Sequence, residues 1–544
     1  MKGFKNILKT VTASALTIAL CASMAGCGNT GGTKTADVTL TTDGKYPMDT
    51  DVSLRIWQGF TPTNQLLSMN DTEFKKYLEE ATGVKITYEH PPTGSSEAFD
   101  LMISSNDMPD IIVFGWRSPG SVYKMDEYVE SGAVLDLTPY IEGGAMPNLK
   151  KIMDENEGFP EMTKSYNGKY MYAPMILGDE ILRSYRGFVI RQDLLDKAGL
   201  EVPETLDEWE TALHAFKDMG VKIPISITLD YWAVEEGRFT NPFDFIGDFY
   251  LDGNTVKYGV AEPAMKDYIA TLKRWFDEGL LDANFTDDTS SRISQIITSG
   301  DCGAFYCNVG GGLGTYMNAV KKDSGIRFTP AKIPVKNKGD KAEFGQTQYR
   351  VHTVGAAISA DCKNPEIAAR FLDFGYSEEG QKIWNFGKEG VSYTMAKDEN
   401  GEEYPKYTDL ITDPAKRGEG VSLSQALLNY ASVGNPISVQ NKWYLLQVNS
   451  SPEQRKMLEY VNDNNMDAHL LPPVLLNEEE NKTVSELLTP LQTYVEETMV
   501  KIVAGKMDFE SGMKEYYDTL AKLKVQDIIS IYQGAYDRYL EKNK

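Results

Sequence analysis

Strand and helix signatures alternate along this chain from residue 54 onward, and that alternation restricts it to an α/β fold. Leu54-Arg55-Ile56-Trp57 has strand character. Asp71-Thr72-Glu73-Phe74 then opens a helix with Phe74, Leu78 and Ala81 on one face and Gly83 as its stop. Val84, Ile86 and Tyr88 alternate as a second strand, and a helical stretch over 96–105 leads to the wholly apolar strand Ile111-Ile112-Val113-Phe114. Strand–helix–strand order predicts a parallel or mixed sheet covered by helices. The pattern resumes at Thr205-Leu206-Asp207-Glu208, a capping box in front of the stripe Trp209, Leu213 and Phe216. Strands follow at 223–228, at 303–309 before a glycine cluster, and at 354–358. Asn364-Pro365-Glu366 starts a further helix, with Pro at its first position. From Val484 the chain reads helical, opened by Thr483-Val484-Ser485-Glu486, kinked at Pro490 and ended by Gly505. Amphipathic pieces follow near 512–523 and 526–540. Two sheet-bearing regions with no long linker after residue 51 predict two lobes sharing one chain.

The first residues read differently. Lys2, Lys5 and Lys9 precede an apolar stretch over 11–22 and then Met24-Ala25-Gly26-Cys27, the three parts of a secretory signal peptide over 1–26. The stretch is shorter than the roughly 20 residues a spanning helix needs. Its last four residues resemble a bacterial lipobox, with Met24 where Leu is preferred, so Cys27 is expected to carry lipid. Residues 27–50 are polar and Thr-rich, and are expected to form a flexible tether.

The formal net charge is −24, and the signal peptide itself holds three lysines and no acid. So acidic a chain is a poor partner for nucleic acid, whose binding rests on basic contacts to phosphate. Cys302, Cys307 and Cys362 remain besides Cys21 and Cys27. An odd set is no disulfide framework, although a Cys302–Cys307 bridge stays open.

Catalytic signatures are missing. There is no Gly-x-Ser-x-Gly elbow and no His-Glu-x-x-His, and the four histidines, His90, His214, His352 and His469, are scattered. Gly310-Gly311-Gly312-Leu313-Gly314-Thr315 departs from a dinucleotide fingerprint at its last glycine and reads as a flexible loop. Asp282–Asp288 spaces its oxygens as a calcium loop does, but lacks the glycine and the closing glutamate; neither metal nor cofactor is expected.

Four segments together resemble the family 1 extracellular solute-binding proteins, especially the large Gram-positive lipoproteins of the LplA-like group. They are Asp107-Met108-Pro109-Asp110-Ile111-Ile112; Ile190-Arg191-Gln192-Asp193-Leu194-Leu195-Asp196-Lys197-Ala198-Gly199-Leu200 with Pro203-Glu204-Thr205 and Glu208-Trp209; Phe371–Phe374 through Ser377-Glu378-Glu379-Gly380 to Phe386–Tyr393; and Leu471-Pro472-Pro473 with Tyr532–Arg538. The resemblance implies a two-lobed periplasmic-binding-protein-like fold with interlobe crossover strands and a helical C-terminal region. Residues 51–172 plus about 327–373 are expected in lobe one, and 173–326 plus about 374–544 in lobe two. It implies a monomer, anchored by lipid on the outer face of the cytoplasmic membrane, that passes a carbohydrate to the permease subunits of an ABC importer. The alternatives are a peptide or another solute in the same fold, and a secreted glycan-degrading enzyme.

Ligands of open α/β sheets sit beyond the carboxyl ends of strands. Flat aromatic rings cover the C–H faces of a sugar while polar neighbours bond its hydroxyls. Trp57 and Trp116 close two predicted strands and are the first candidates. Tyr231 and Trp232, Tyr306 and Asn308, Trp384 and Trp443 follow; Arg350 and His352 lie just before a predicted strand and face either the ligand or the hinge; Trp209 and Trp275 sit at helical spacing and are expected in the core.

Overall fold

The computed structural model describes residues 44–542, except 64, 92–94, 106, 117–123 and 433–436. The expected signal peptide, Cys27 and most of the tether lie outside the described residues. Residues 44–50, assigned by composition to the tether, are docked. Met48 is buried, its N–H donating to the Thr82 carbonyl, while Tyr46 packs 4.9 Å from Phe374 and its hydroxyl donates to the Arg370 carbonyl. Gly83 makes room for this segment. Its φ is +77°, and a Cβ there would stand 2.2 Å from the Met48 carbonyl oxygen.

Fourteen strands are named in chain order: β1 (Ser53–Trp57), β2 (Lys85–Glu89), β3 (Ile111–Gly115), β4 (Ala173–Leu177), β5 (Arg186–Arg191), β6 (Ile223–Ser226), β7 (Phe249–Asp252), β8 (Thr255–Tyr258), β9 (Cys302–Asn308), β10 (Phe328–Ala331), β11 (Val351–Ile358), β12 (Tyr393–Lys397), β13 (Glu403–Tyr407) and β14 (Val439–Gln440). The first lobe holds a six-stranded sheet in the order β14-β4-β11-β3-β1-β2. In it β1 runs parallel to β2 and β3, and β11 is antiparallel to β3 and β4. The second lobe holds a four-stranded sheet in the order β10-β5-β9-β6.

The expected strand–helix alternation is met locally. The helix Glu73–Thr82 is capped by the Thr72 side chain, stops at Gly83, and buries Phe74, Tyr77 and Leu78. Thr205 and Glu208 form the expected capping box. The long C-terminal helix begins earlier than Thr483: Asn477 and Glu480 cap a helix over Glu478–Val503 that contains Pro490. Thr483 lies inside it, where its hydroxyl donates to the Glu479 carbonyl. The helices Phe509–Lys522 and Val525–Lys542 follow. The glycine cluster is no open loop. It winds into a π-helical turn, Val309–Gly314, closed on Cys307 and Gln454 so tightly that a Cβ at Gly312 or Gly314 would collide with them.

The chain passes from the first sheet to the second after β4 and returns after β10, a few residues past the divisions expected at 172 and 326. β14 and the helix Glu378–Phe386 also join the first lobe, because Trp384 packs edge-on against Phe74. The connections 178–185 and 332–350 are tied to each other. Gln346 Oε1 accepts from the Tyr185 and Arg186 amides, its Nε2 donates to the Arg183 carbonyl, and Arg183 Nε donates to the Gln348 carbonyl. The inter-sheet connections therefore form one hydrogen-bonded strap.

Cys302 and Cys307 are free thiols. They stand five residues apart on β9, roughly 16 Å along the strand, beyond the reach of a disulfide.

Candidate functional site

The helix Tyr231–Glu235 follows β6 and is capped by Asp230, whose side chain accepts from the Ala233 amide. Its two aromatic residues face opposite ways. Tyr231 is buried, its hydroxyl 2.6 Å from that of Tyr258, whereas Trp232 is 61% exposed. One turn further on the same helix stands Glu235. Val234 accepts a hydrogen bond from the Gly247 amide, which brings Asp248 beside Glu235.

These groups line two adjoining cavities. The larger, about 640 Å³, lies between the lobes. Met162 and the start of β11 (Val351, His352, Thr353) form its first-lobe side. Glu235, Asp248, Phe249, Leu471, Pro472, Pro473, Val474, Leu476, Tyr532 and the helix residues Asn481, Ser485 and Gln492 form the other. The smaller, about 250 Å³, shares Glu235, Asp248 and Phe249 and adds Trp232, Tyr185, Glu236, Glu343, Gln348 and His469. Both fall within or near the size of small-molecule sites. Phe249 stacks between Tyr258 at 4.2 Å and Tyr532 at 4.0 Å, which sets an aromatic wall beside the carboxylates.

The electrostatics of the walls are uneven. Glu236 is paired with Arg186 and with Arg238 at 2.9 Å, and the Arg238 guanidinium lies 5.1 Å over the Tyr306 ring. Among the described residues Glu235 and Asp248 have no such cation. Desolvation by the cleft walls, and for Glu235 next the charge of Asp248, pushes both carboxyls above the usual range, although Asp248 keeps solvent-exposed surface. Asp248 is raised although it accepts from the Phe249 amide at 2.7 Å. Burial pushes the His352 imidazole down, which favours its neutral form. Among the described residues no group of three or more His, Cys, Asp or Glu is placed to hold a metal ion. Asp282, in the calcium-like stretch, is instead bonded by Arg292 at 2.5 Å and by the Ser226 hydroxyl.

Of the residues expected from sequence, Trp232 and His352 line these cavities. Trp57 and Trp116 require correction: they are 7% and 1% exposed within a first-lobe cluster. Phe99 from the helix Ser95–Ser104 and Tyr128 from the helix Lys124–Glu130 cover them, and the Trp116 indole N–H donates to the Gly355 carbonyl. Strand-end position exposes a ring only when no helix folds back across it. Tyr306 lies behind the cleft wall against Phe188, and Asn308 is half-buried opposite Arg186 in the β5–β9 ladder. Trp384 is core, and Trp443 stacks on Tyr404 at 4.4 Å beside the β12–β13 hairpin. Arg350 holds the strap: Nε donates to the Leu177 carbonyl at 3.0 Å and the guanidinium lies over Phe159.

Two lobes with sheets of their own, joined by a hydrogen-bonded strap and divided by a polar-aromatic cleft, define a ligand-binding protein of the two-lobed class. The chain belongs to the bacterial extracellular solute-binding protein family, whose match spans residues 70–382. It is 25% identical to the fructooligosaccharide ABC transporter substrate-binding protein FusA of Streptococcus pneumoniae over 98% of both chains. It is 27% identical to a carbohydrate ABC transporter substrate-binding protein of the same organism, over 54% of this chain and 56% of that one. Among solved structures, FusA in complex with kestose superposes with a TM-score of 0.70 at 19% identity, covering 90% of this chain and 100% of that chain. The alginate-binding protein AlgQ2 also superposes at 0.70, with 24% identity, covering 90% and 98%.

Proposed function

We propose that this protein captures a carbohydrate, an oligosaccharide by the size of the joined cavities, between its lobes outside the cell and delivers it to an ABC importer. One observation carries this: an interlobe cleft whose wall sets the exposed Trp232 indole and the Phe249–Tyr532 stack beside uncompensated carboxylates and the Gln492 amide. Flat rings cover the apolar faces of a sugar, and carboxylates and amides bond its edge hydroxyls. The names of the full-length relatives support the same ligand class. The lobes closing on a ligand, with the strap as hinge, draw their bias from contacts made only in the closed state.

Anchoring is part of the same proposal. Met24-Ala25-Gly26-Cys27 behind a basic start supports lipid on Cys27. The protein acts there as a monomer beside its permease subunits. Among the described residues no helix is long and apolar enough to cross a membrane. Cys27→Ala is expected to release the protein from membranes into the medium; retention at the membrane sinks the anchor assignment.

The ligand test is thermal unfolding of the mature chain carrying Cys27→Ser against panels of neutral and acidic oligosaccharides and of peptides. A true ligand at a hundredfold excess over its Kd stabilises by about 2.7 kcal/mol. A response to peptides and to no sugar defeats carbohydrate capture. Catalysis finds no pair of acids opposed across the cleft in Glu235 and Asp248. Both stand on one wall, because the Gly247–Val234 hydrogen bond sets them side by side.

A further inference from the structure

We infer that Glu235 and Asp248 select the charge of the ligand, so that the cleft admits uncharged glycans and rejects those bearing carboxylate or phosphate groups. This rests on the carbohydrate capture proposed above and adds a substrate class to it.

Four acidic side chains, Glu235, Glu236, Asp248 and Glu343, line the two cavities, and among the described residues no Lys or Arg does. Two of the four already have partners. Glu236 is held by Arg186 and Arg238, while Glu343 stands 3.4 Å from His469 Nε2 and accepts from Asn465. Glu235 and Asp248 have no cation within ion-pair distance among the described residues, and they occupy the place where the cavities meet. A ligand that passes from the Trp232 end to the His352 end must cross them.

The chemistry there is one-sided. Sugar hydroxyls donate to carboxylate oxygens, and such charge-assisted bonds are among the stronger ones available. A uronate or phosphate instead brings an acceptor group of like charge against them. The protein's overall charge of −24 extends the same discrimination to the approach from solution. Two acids side by side with no cation give up their second proton reluctantly, which the raised carboxyls reflect: the charge that stays on the pair repels an acidic ligand, and a proton held there donates to a neutral hydroxyl.

The test is calorimetric titration of the Cys27→Ser mature chain with matched probes. Galacto-oligosaccharides are set against oligogalacturonates, manno-oligosaccharides against oligomannuronates, and inulin-type fructo-oligosaccharides against their carboxymethyl derivatives. For the backbone that binds, the acidic member is expected at least tenfold weaker than the neutral one. In E235Q/D248N the gap is expected to shrink to about threefold or less, with circular dichroism confirming the fold. If the double variant does not fold, E235Q and D248N are tested singly, and each is expected to narrow the gap. Acidic probes that bind as tightly as neutral ones overturn the charge selection and leave carbohydrate capture standing. So does a gap untouched by the substitutions. Binding of none of these sugars defeats carbohydrate capture itself, and the inference with it.

Discussion

Trp232→Ala and Trp116→Ala separate the cleft from the core, because the two indoles have opposite surroundings. An aromatic side chain carries about 150–250 Å² of surface. Trp232 is 61% exposed, so roughly 100–150 Å² of it faces the cleft, and a sugar stacked on one face covers about half of that. At about 25 cal/mol per Å² the lost contact is about 1.5 kcal/mol, or about tenfold in Kd. Folding stability is expected to change by less than about 0.5 kcal/mol, the usual range for an exposed side chain. Trp116 is 1% exposed, surrounded by Phe99, Phe114 and Tyr128, and its N–H donates to the Gly355 carbonyl. Its truncation leaves a cavity and an unpaired carbonyl, and is expected to cost about 3–5 kcal/mol of stability. Urea unfolding measures the second quantity and calorimetric titration with the identified sugar measures the first. If Trp232→Ala binds with wild-type affinity, the site is misplaced. If Trp116→Ala keeps its stability but loses affinity, Trp116 faces ligand after all and the cleft assignment fails.

Glu236→Ala removes the shared partner of Arg186 and Arg238, whose side chains are largely covered. Stability is expected to fall by about 3 kcal/mol in urea, and a loss under 0.5 kcal/mol shows that the network is not stabilising. Asp373 accepts from the Asn148 and Leu149 amides at the start of the helix Pro147–Glu155, yet burial pushes its carboxyl up to about 6. A carboxyl raised above its unfolded value of 3.8 binds its proton more tightly when folded. Its contribution is therefore fully present below about pH 4 and lost as pH rises through about 6. The stability difference between wild type and Asp373→Asn is expected to shift against wild type by roughly 3 kcal/mol at most between pH 4 and pH 7, and a flat difference refutes the assignment. Cys302, Cys307 and Cys362 are free, with thiols pushed by burial to about 12. In the Cys27→Ser mature chain all three are expected to react with a thiol reagent only after unfolding, and reductant is expected to leave the thermal midpoint unchanged. A Cys302–Cys307 bridge in mass spectrometry contradicts this.

Helix caps and strand periods were legible because they are written in consecutive residues. Thr72 caps the helix that Gly83 ends, Thr205 pairs with Glu208, and Ile86 and Tyr88 alternate inward from β2. The C-terminal helix start was misplaced because Thr483–Glu486 carries the same local signature as the working cap at Asn477–Glu480. The cleft was legible at Trp232, which follows a strand with no helix folded over it, and at His352, which stands at the start of a predicted strand. Glu235 stood within reach of the same reasoning, three residues on and on the same helix face. Asp248, Phe249 and Gln492 carried no comparable local signal.

The linear chain by itself determined the α/β class, the two sheet-bearing regions and those elements that carry a clear cap or apolar period, since backbone preference and apolar period act over a few neighbouring residues. Tertiary structure alone decided which aromatic rings meet the cleft, because exposure depends on what distant segment lies above a ring. Phe99 and Tyr128 close over Trp57 and Trp116, while Trp232 is left open. It likewise joined Glu235 to Asp248 through the Gly247–Val234 hydrogen bond, and set both opposite a strand more than a hundred residues further along the chain.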